Sequence, residues 1–247
     1  MSFKGVYKIA GETFLIETIF EYTHLTCYDY LSFDKPEFTV STTKEDIEFE
    51  RDKARKEAEF EKNPIEEYRD DYLESLAVLR KLSDKLIDKN CILFHASSLC
   101  LDGEGYLFTA KSGTGKSTHS YFWRKHFGDR CVMINDDKPV VKIEDGKATV
   151  FGSAWQGKHN LGSNTSVEVK NIAILHRGEK NEAKRIDKKK AYGMLLQQTY
   201  RPSDPVKLAK VLKLVDLLAD SVSLFDIYCT LDPNSAIEIY NAMKGQN

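Results

Sequence analysis

The sequence predicts a mixed α/β fold of the α+β kind, and three observations predict it. A Gly-rich segment, Ala110-Lys-Ser-Gly-Thr-Gly-Lys-Ser117, stands between the apolar, strand-like run Gly105-Tyr-Leu-Phe-Thr109 and a helix expected over 116–126. From about residue 91 onward, short apolar runs of strand character alternate with runs of helical spacing. The first forty-odd residues alternate apolar and polar side chains, as in Val6-Tyr-Lys-Ile-Ala10 and Thr13-Phe-Leu-Ile-Glu-Thr-Ile-Phe20, which predicts a small set of antiparallel strands.

The elements follow in order. Residues 44–71 are dense in charge, with Glu48, Glu50, Arg51, Asp52, Lys53, Arg55, Lys56 and Glu57 crowded together, and read as a solvated helix or a mobile connector. Pro64 is placed to open a helix whose stripe is Ile65, Tyr68, Tyr72, Leu76, Leu79, Leu82 and Leu86, an ordinary core-facing pattern. After Asn90 the character changes, so the chain divides into an N-terminal part over 1–90, of strands and charged or amphipathic helices, and a second domain over 91–247. In the second domain, Cys91 to Ala96 reads as a strand, with His95 near its end and beside the Gly105 strand. Strands are expected at 130–135 and 171–176, a hairpin at 139–151 closed around Glu144-Asp-Gly146, and a polar loop over 152–165. Helices are expected at 188–200, 205–220 and 234–243, with a late strand at 222–229. No internal repeat or low-complexity segment interrupts this order.

Composition narrows the function classes. Lys and Arg number 36 against 38 Asp and Glu, a net charge of −2, so neither a nucleic-acid binder nor a polyanion is expected and any charge recognition is local. The five cysteines are scattered without metal-type spacing and read as small apolar residues of a reducing compartment. With no apolar leader at the first residues and no apolar run of bilayer length, a cytoplasmic protein with no membrane partner is expected.

The Gly-rich segment carries the chemistry. A loop of this spacing between strand and helix wraps phosphates with backbone N–H groups, here from Ser112, Gly113, Thr114, Gly115, Lys116, Ser117 and Thr118. The Lys116 ammonium then reaches the β and γ phosphates, the Ser117 hydroxyl takes Mg²⁺, and the helix N-terminus adds partial positive charge. Ala110 stands where such loops usually begin with Gly, which is acceptable at a strand exit if φ stays negative. Asp136-Asp137 follow about twenty residues later at a strand end, where metal-binding acids recur. Adjacent acids on an extended strand point to opposite sides, so both serve one site only if the chain bends there, and Lys138-Pro139 makes a bend reasonable. One carboxylate can then bind metal while the other accepts a hydroxyl proton; a solvated turn capped by Asp is the plainer use of such a pair. His95 is as ready to be a core histidine as a functional one. His159 and Lys158 sit in a stretch able to close over a nucleotide, and Arg177 and Arg201 are guanidiniums available either to phosphate or to surface ion pairs.

On His95, Ser112-Gly-Thr-Gly-Lys-Ser117, Asp136-Asp137 and Gly152-Ser-Ala-Trp-Gln-Gly-Lys-His-Asn-Leu-Gly162, the stretch from His95 to Arg177 resembles the catalytic domain of the HPr kinase/phosphorylase family. The resemblance implies a phosphoenolpyruvate carboxykinase-like P-loop core, mainly β with flanking helices. It implies an ATP-dependent kinase that transfers the γ-phosphoryl group to a serine-type hydroxyl of a protein, peptide or small molecule. Asp136 would be the catalytic base with His95 and Lys116 beside it, Asp137 would share the metal with Ser117, and the cofactors would be ATP and Mg²⁺. The Arg-Gly-Leu-Gly-Ile-type signature of the bifunctional enzyme is absent, so phosphorylase activity is not implied. The first ninety residues do not resemble that family's regulatory domain, so its hexamer is not carried over, although a homo-oligomer has room. A nucleotide-binding regulatory module without transfer is the alternative, and a small-acid carboxykinase a third reading.

Overall fold

In the computed structural model of the chain the described residues are 2–245. They form two compact units that divide between Leu86 and Ile87. Among them no helix is long and apolar enough to cross a membrane, and the five cysteines are free.

The N-terminal unit is built on a three-stranded sheet. Strands β1 (Phe3–Ile9) and β2 (Glu12–Thr18) pair antiparallel across a tight turn at Ala10-Gly11, both with positive φ, the geometry that matches strand twist. The third strand, β3 (Phe38–Ser41), runs parallel to β2, which corrects the expectation of antiparallel strands alone. The chain reverses through the short helix α1 (Tyr22–Thr26) and a 3-10 turn at Tyr28–Tyr30 before β3 is laid down, and a parallel pair needs such a crossover. The charged stretch is a helix, α2 (Lys44–Glu61), opened by a Thr43/Asp46 capping box and closed by Lys62 in the left-handed region. It buries only Ile47 and Glu50. Ion pairs replace the missing apolar face: Arg80 reaches Glu50 at 2.5 Å and Asp46 at 3.2 Å, and Lys81 reaches Asp46 at 2.5 Å.

Those partners lie on α3 (Asp70–Ile87), which starts six residues after Pro64 rather than at it. Ile65 and Tyr68 are exposed, so a longer helix would bury nothing, and tertiary burial is what stabilises a helix of this length. Asp70 and Asp71 occupy its first turn, where carboxylates suit the helix dipole. The buried Glu74 carboxylate accepts from the N–H groups of Ile19 and Phe20 and from the Thr42 hydroxyl, tying α3 to the end of β2.

The second unit is a layered α/β structure. Strands β4 (Cys91–Leu93), β8 (Val140–Glu144) and β9 (Lys147–Phe151) pair in that order and meet the first residues of the long β10 (Ser166–Arg177). Beyond a bulge at Val169/Asn171 the same strand runs parallel to β6 (Glu104–Thr109) on one side and to β12 (Ser223–Cys229) on the other. Outside β6 lie β5 (Ser97–Leu101) and β7 (Cys131–Asn135), and outside β12 lies β11 (Glu182–Arg185). Six of the eight pairings among the described residues of this unit are antiparallel, so this is not a doubly wound sheet.

Strand alternation splits the core into two faces. Leu107, Ile172, Ile174 and Leu224 face helices α5 (Lys188–Gln197) and α6 (Pro205–Ser221). Tyr106, Phe108, Ala173, Leu175, Phe225 and Ile227 face α4 (Lys116–Phe127) and α7 (Ser235–Lys244). The hairpin, the late strand and the last three helices follow the expected order, with ends displaced by a few residues. The edge strand β11 was not expected, because Glu-Ala-Lys-Arg has no apolar alternation and buries only Ala183.

The α4 face contains a group with a pH signature. His119 is buried between Phe108 and Trp123, and burial pushes its imidazole down to about 3 from 6.5. The unfolded chain therefore takes up this proton first as pH falls. The stability that a neutral His119 contributes is complete above about 6.5 and declines between there and about 3, by at most about 1.4 kcal/mol per pH unit. Denaturant midpoints measured from pH 7 to 4 are expected to fall less steeply in His119→Gln than in the wild type.

Candidate functional site

The phosphate-loop candidate leaves β6 at Thr109 and enters α4 at Lys116. Ala110 is buried and lies outside the positive-φ residues, as a strand exit requires. Gly113 and Gly115 have φ of 73° and 121°, which is why side chains with a Cβ are unfavourable there. Lys116 folds back over the loop, its Nζ 3.2 Å from the Ala110 carbonyl oxygen. Burial holds the ammonium below the usual lysine range, while the charge of Asp137 works in the opposite direction. Arg177, at the end of β10, donates to the carbonyls of Gly113 at 2.7 Å and Thr114 at 3.3 Å. In a trans peptide the N–H opposes the C=O, so the Gly115 N–H is turned away from Arg177. Arg177 thus grips the loop's backbone rather than standing free for phosphate, and Arg201 donates to the Leu196 carbonyl.

Asp136 and Asp137 lie just beyond β7, and Asn135 makes the bend that aims them. Its Oδ1 accepts from the N–H groups of Asp137 and Lys138 at 2.8 and 2.7 Å, while its amide donates to the Ser153 and Trp155 carbonyls. Sequence reasoning assigned the bend to Lys138-Pro139 and missed Asn135, although Asn at a strand end is a known turn former that bonds the backbone two residues on. The polar loop over 152–165 folds against the acids. The Gly157 N–H donates to Asp136 Oδ1 at 2.6 Å, and a Cβ at this glycine would stand only 2.8 Å from Oδ2, so close approach explains the residue type.

His95 lies in the link between β4 and β5. The strand it follows pairs with β8, whereas β6 has β5 and β10 as neighbours, which corrects the expectation that the strand bearing His95 adjoins the loop strand. The ring is nevertheless delivered to the site through other bonds: its carbonyl accepts from the Thr109 hydroxyl at 3.0 Å and its N–H donates to Gln198 at 2.7 Å. His95 Nε2 is 3.1 Å from Asp137 Oδ1, so its partner is the second acid rather than the first. Burial alone would raise the Asp137 carboxyl; the hydrogen bond from His95 and the charge of Lys138 outweigh it and draw it down to about 2.

One cavity of about 780 Å³ is lined by His95, Lys116, Ser117, Asp136, Asp137 and Gly157, with Ser112, Thr118, Lys158 and His159 also on its walls. Thr114 instead faces the opposite flank of the loop, together with Arg177. Among the described residues no group of three or more His, Cys, Asp or Glu could hold a metal alone. Mg²⁺ does not need one, since it uses one or two hard oxygen ligands with phosphate oxygens and water, and the Ser117 hydroxyl and Asp137 carboxylate, which both line this cavity, are donors of that kind.

No family model and no curated protein matches the chain. Among solved structures it is similar to the Hpr(Ser) kinase/phosphatase from Coxiella burnetii, with 16% identity over 62% of this chain and 95% of that one and a TM-score of 0.36.

Proposed function

We propose that this chain is a Mg·ATP-dependent kinase that transfers the γ-phosphoryl group to a serine-type hydroxyl of a protein, a peptide or a small molecule. The observation that supports the reading is the meeting, in one cavity, of the Lys116-Ser117 end of the loop with two acids and a histidine from separate elements. Phosphoryl transfer needs a cradle for the triphosphate, a held metal and a group to take the acceptor proton.

Each role has a residue. Backbone N–H groups of Ser112, Gly113 and Gly115 to Thr118 cradle the phosphates, the Thr114 N–H being taken by the Lys111 carbonyl, and Lys116 neutralises their terminal charge. Ser117 and Asp137 would hold magnesium, which when bound spreads the charge of the phosphates. His95 positions Asp137 and helps keep it ionised. Asp136 is the base: Oδ1 is held by Gly157, and the carboxylate lines the cavity. Oδ2 takes the acceptor hydroxyl proton as that oxygen bonds to the γ-phosphorus, and the bond to the β–γ bridging oxygen breaks to release ADP.

The test is ADP release from Mg·ATP with serine-containing peptides, free serine or HPr as acceptor. Acceptor-dependent release is expected, and Lys116→Ala is expected to weaken ATP binding about 10- to 100-fold through loss of charged hydrogen bonds. ATP binding without release for any acceptor would sink the kinase reading in favour of a nucleotide-binding regulatory module.

A further inference from the structure

The cavity that holds the two acids extends past them. Along α4 it is lined by Ser117, Ser120, Tyr121 and Arg124, a stripe of helical spacing that carries it about 10 Å beyond Ser117. The β7 wall starts at Asp136 and reaches back to Met133, again about 10 Å in an extended strand. Lys158, His159 and Leu161 bound it from the loop over 152–165. Resting on the kinase reading, we propose that this far end is the acceptor subsite, and that it takes a hydroxyl acceptor carrying a carboxylate, which Arg124 and Lys158 hold.

The direction follows from the chemistry. The acceptor hydroxyl must reach Asp136 while the triphosphate occupies the loop, and in-line displacement puts the acceptor on the side of the γ-phosphorus away from the departing ADP. The length between Asp136, Met133 and Arg124 is the room left for the rest of the acceptor. Its charge is set by what the nucleotide leaves unused. Lys116 is assigned to the triphosphate and Asp137 to magnesium, so Arg124 and Lys158 are the cations left over, and Asp136 and Asp137 are the only acids in the lining.

Arg124 also lacks the partner that comparable arginines have. The half-buried arginines among the described residues are Arg51, Arg80 and Arg124. Arg51 pairs with Glu48 and Asp70, and Arg80 with Asp46 and Glu50. Among the described residues no carboxylate meets Arg124, and its Nε is buried without a hydrogen-bond partner. The Tyr121 ring lies 6.0 Å from the guanidinium carbon. Half-buried charges are normally compensated, and an anion in the cavity is the compensation that the chain itself does not provide. The planar fork of arginine matches a carboxylate bidentately, while Lys158, exposed on the loop, adds a point charge.

The experiment uses two acceptor pairs whose members differ by one charge: N-acetylserine against N-acetylserinamide, and an end-blocked Ser-Gly-Glu peptide against Ser-Gly-Gln. ADP release gives kcat/KM, and calorimetry on the chain saturated with Mg²⁺ and the imido analogue of ATP gives affinity without turnover. The carboxylate member of at least one pair is expected to be preferred by about tenfold or more, the effect of one charged hydrogen bond. Which pair shows the preference tells a small-molecule carboxylate from an acidic side chain in a peptide. Arg124→Gln is expected to level the preference while ATP affinity changes by less than about threefold, and Arg124→Lys to restore part of it. Lys158→Gln, at an exposed position, is expected to reduce the preference several-fold. No preference in either pair, or a loss in Arg124→Gln shared equally by both members, would overturn the subsite. A charge preference in binding with no ADP release would instead overturn the kinase reading and leave the anion site standing.

Discussion

Asp136→Asn is expected to lower acceptor-dependent turnover by about 10²- to 10⁴-fold, the usual contribution of a positioned general base, while ATP affinity changes by less than about threefold. Asparagine keeps the Oδ1 acceptor that the Gly157 N–H requires, so the loop over 152–165 should stay in place. What it loses is the ability to take a proton. Single-turnover phosphoryl transfer with ATP binding measured in parallel separates the two effects. A variant with full turnover would remove Asp136 as the base. The second acid then becomes the one to test, and Asp137→Asn is expected to differ in kind by raising the Mg²⁺ concentration needed for activity. His95 bonds to Asp137, so a histidine variant should resemble the metal-side phenotype more than the base-side one.

The largest stability effect is expected from Trp123→Ala. Trp123 is fully buried in an aromatic cluster with Tyr106, Phe108, Phe127 and Tyr240, at centroid separations from 4.9 to 5.9 Å. Truncation leaves a large cavity and also strips His119 Nε2 of its donor. A loss of about 3–5 kcal/mol is expected, equivalent to a fall in melting temperature of roughly 10 °C in a unit of this size. Denaturant titration of the variant against the wild type checks it, and a loss below about 1 kcal/mol would mean that α4 is not held to the sheet through this side chain. Because α4 begins in the phosphate-loop candidate, the cluster joins stability to the site. Its first turn is only as well placed as the aromatic residues that anchor the rest of the helix.

Much of this architecture was legible beforehand, and the reasons are local. The hairpin at β8 and β9 announced itself through Glu144-Asp-Gly146, and Asp145 and Gly146 do adopt positive φ. The helices α6 and α7 showed their apolar periodicity over enough turns to be read, and their ends fell close to the expected ones. The misreadings have physical causes as well. Helix α3 lost its expected first turn because Ile65 and Tyr68 stay exposed and give it no buried face, Tyr68 meeting the ring of Tyr72. Strand β11 has no side-chain pattern, since an edge strand of four polar-rich residues is held by backbone hydrogen bonds to β12.

For the site, the sequence by itself determined the parts whose shape depends on neighbours in the chain. Gly113 and Gly115 set the loop's backbone, Lys116 and Ser117 follow at fixed offsets, and the adjacency of Asp136 and Asp137 needs no tertiary contact to be seen. Only the tertiary structure decided which of these meet and in what pairing. Asp136 is held by Gly157, 21 positions away, Arg177 grips a loop more than sixty positions before it, and His176 is fixed by Asp226 at a distance of 50. Such bonds depend on the order of the strands, on the bulge that lets β10 serve two sheets, and on the bend at Asn135. Those are set by burial of both faces of the sheet, a property of the whole unit that no short stretch of sequence carries.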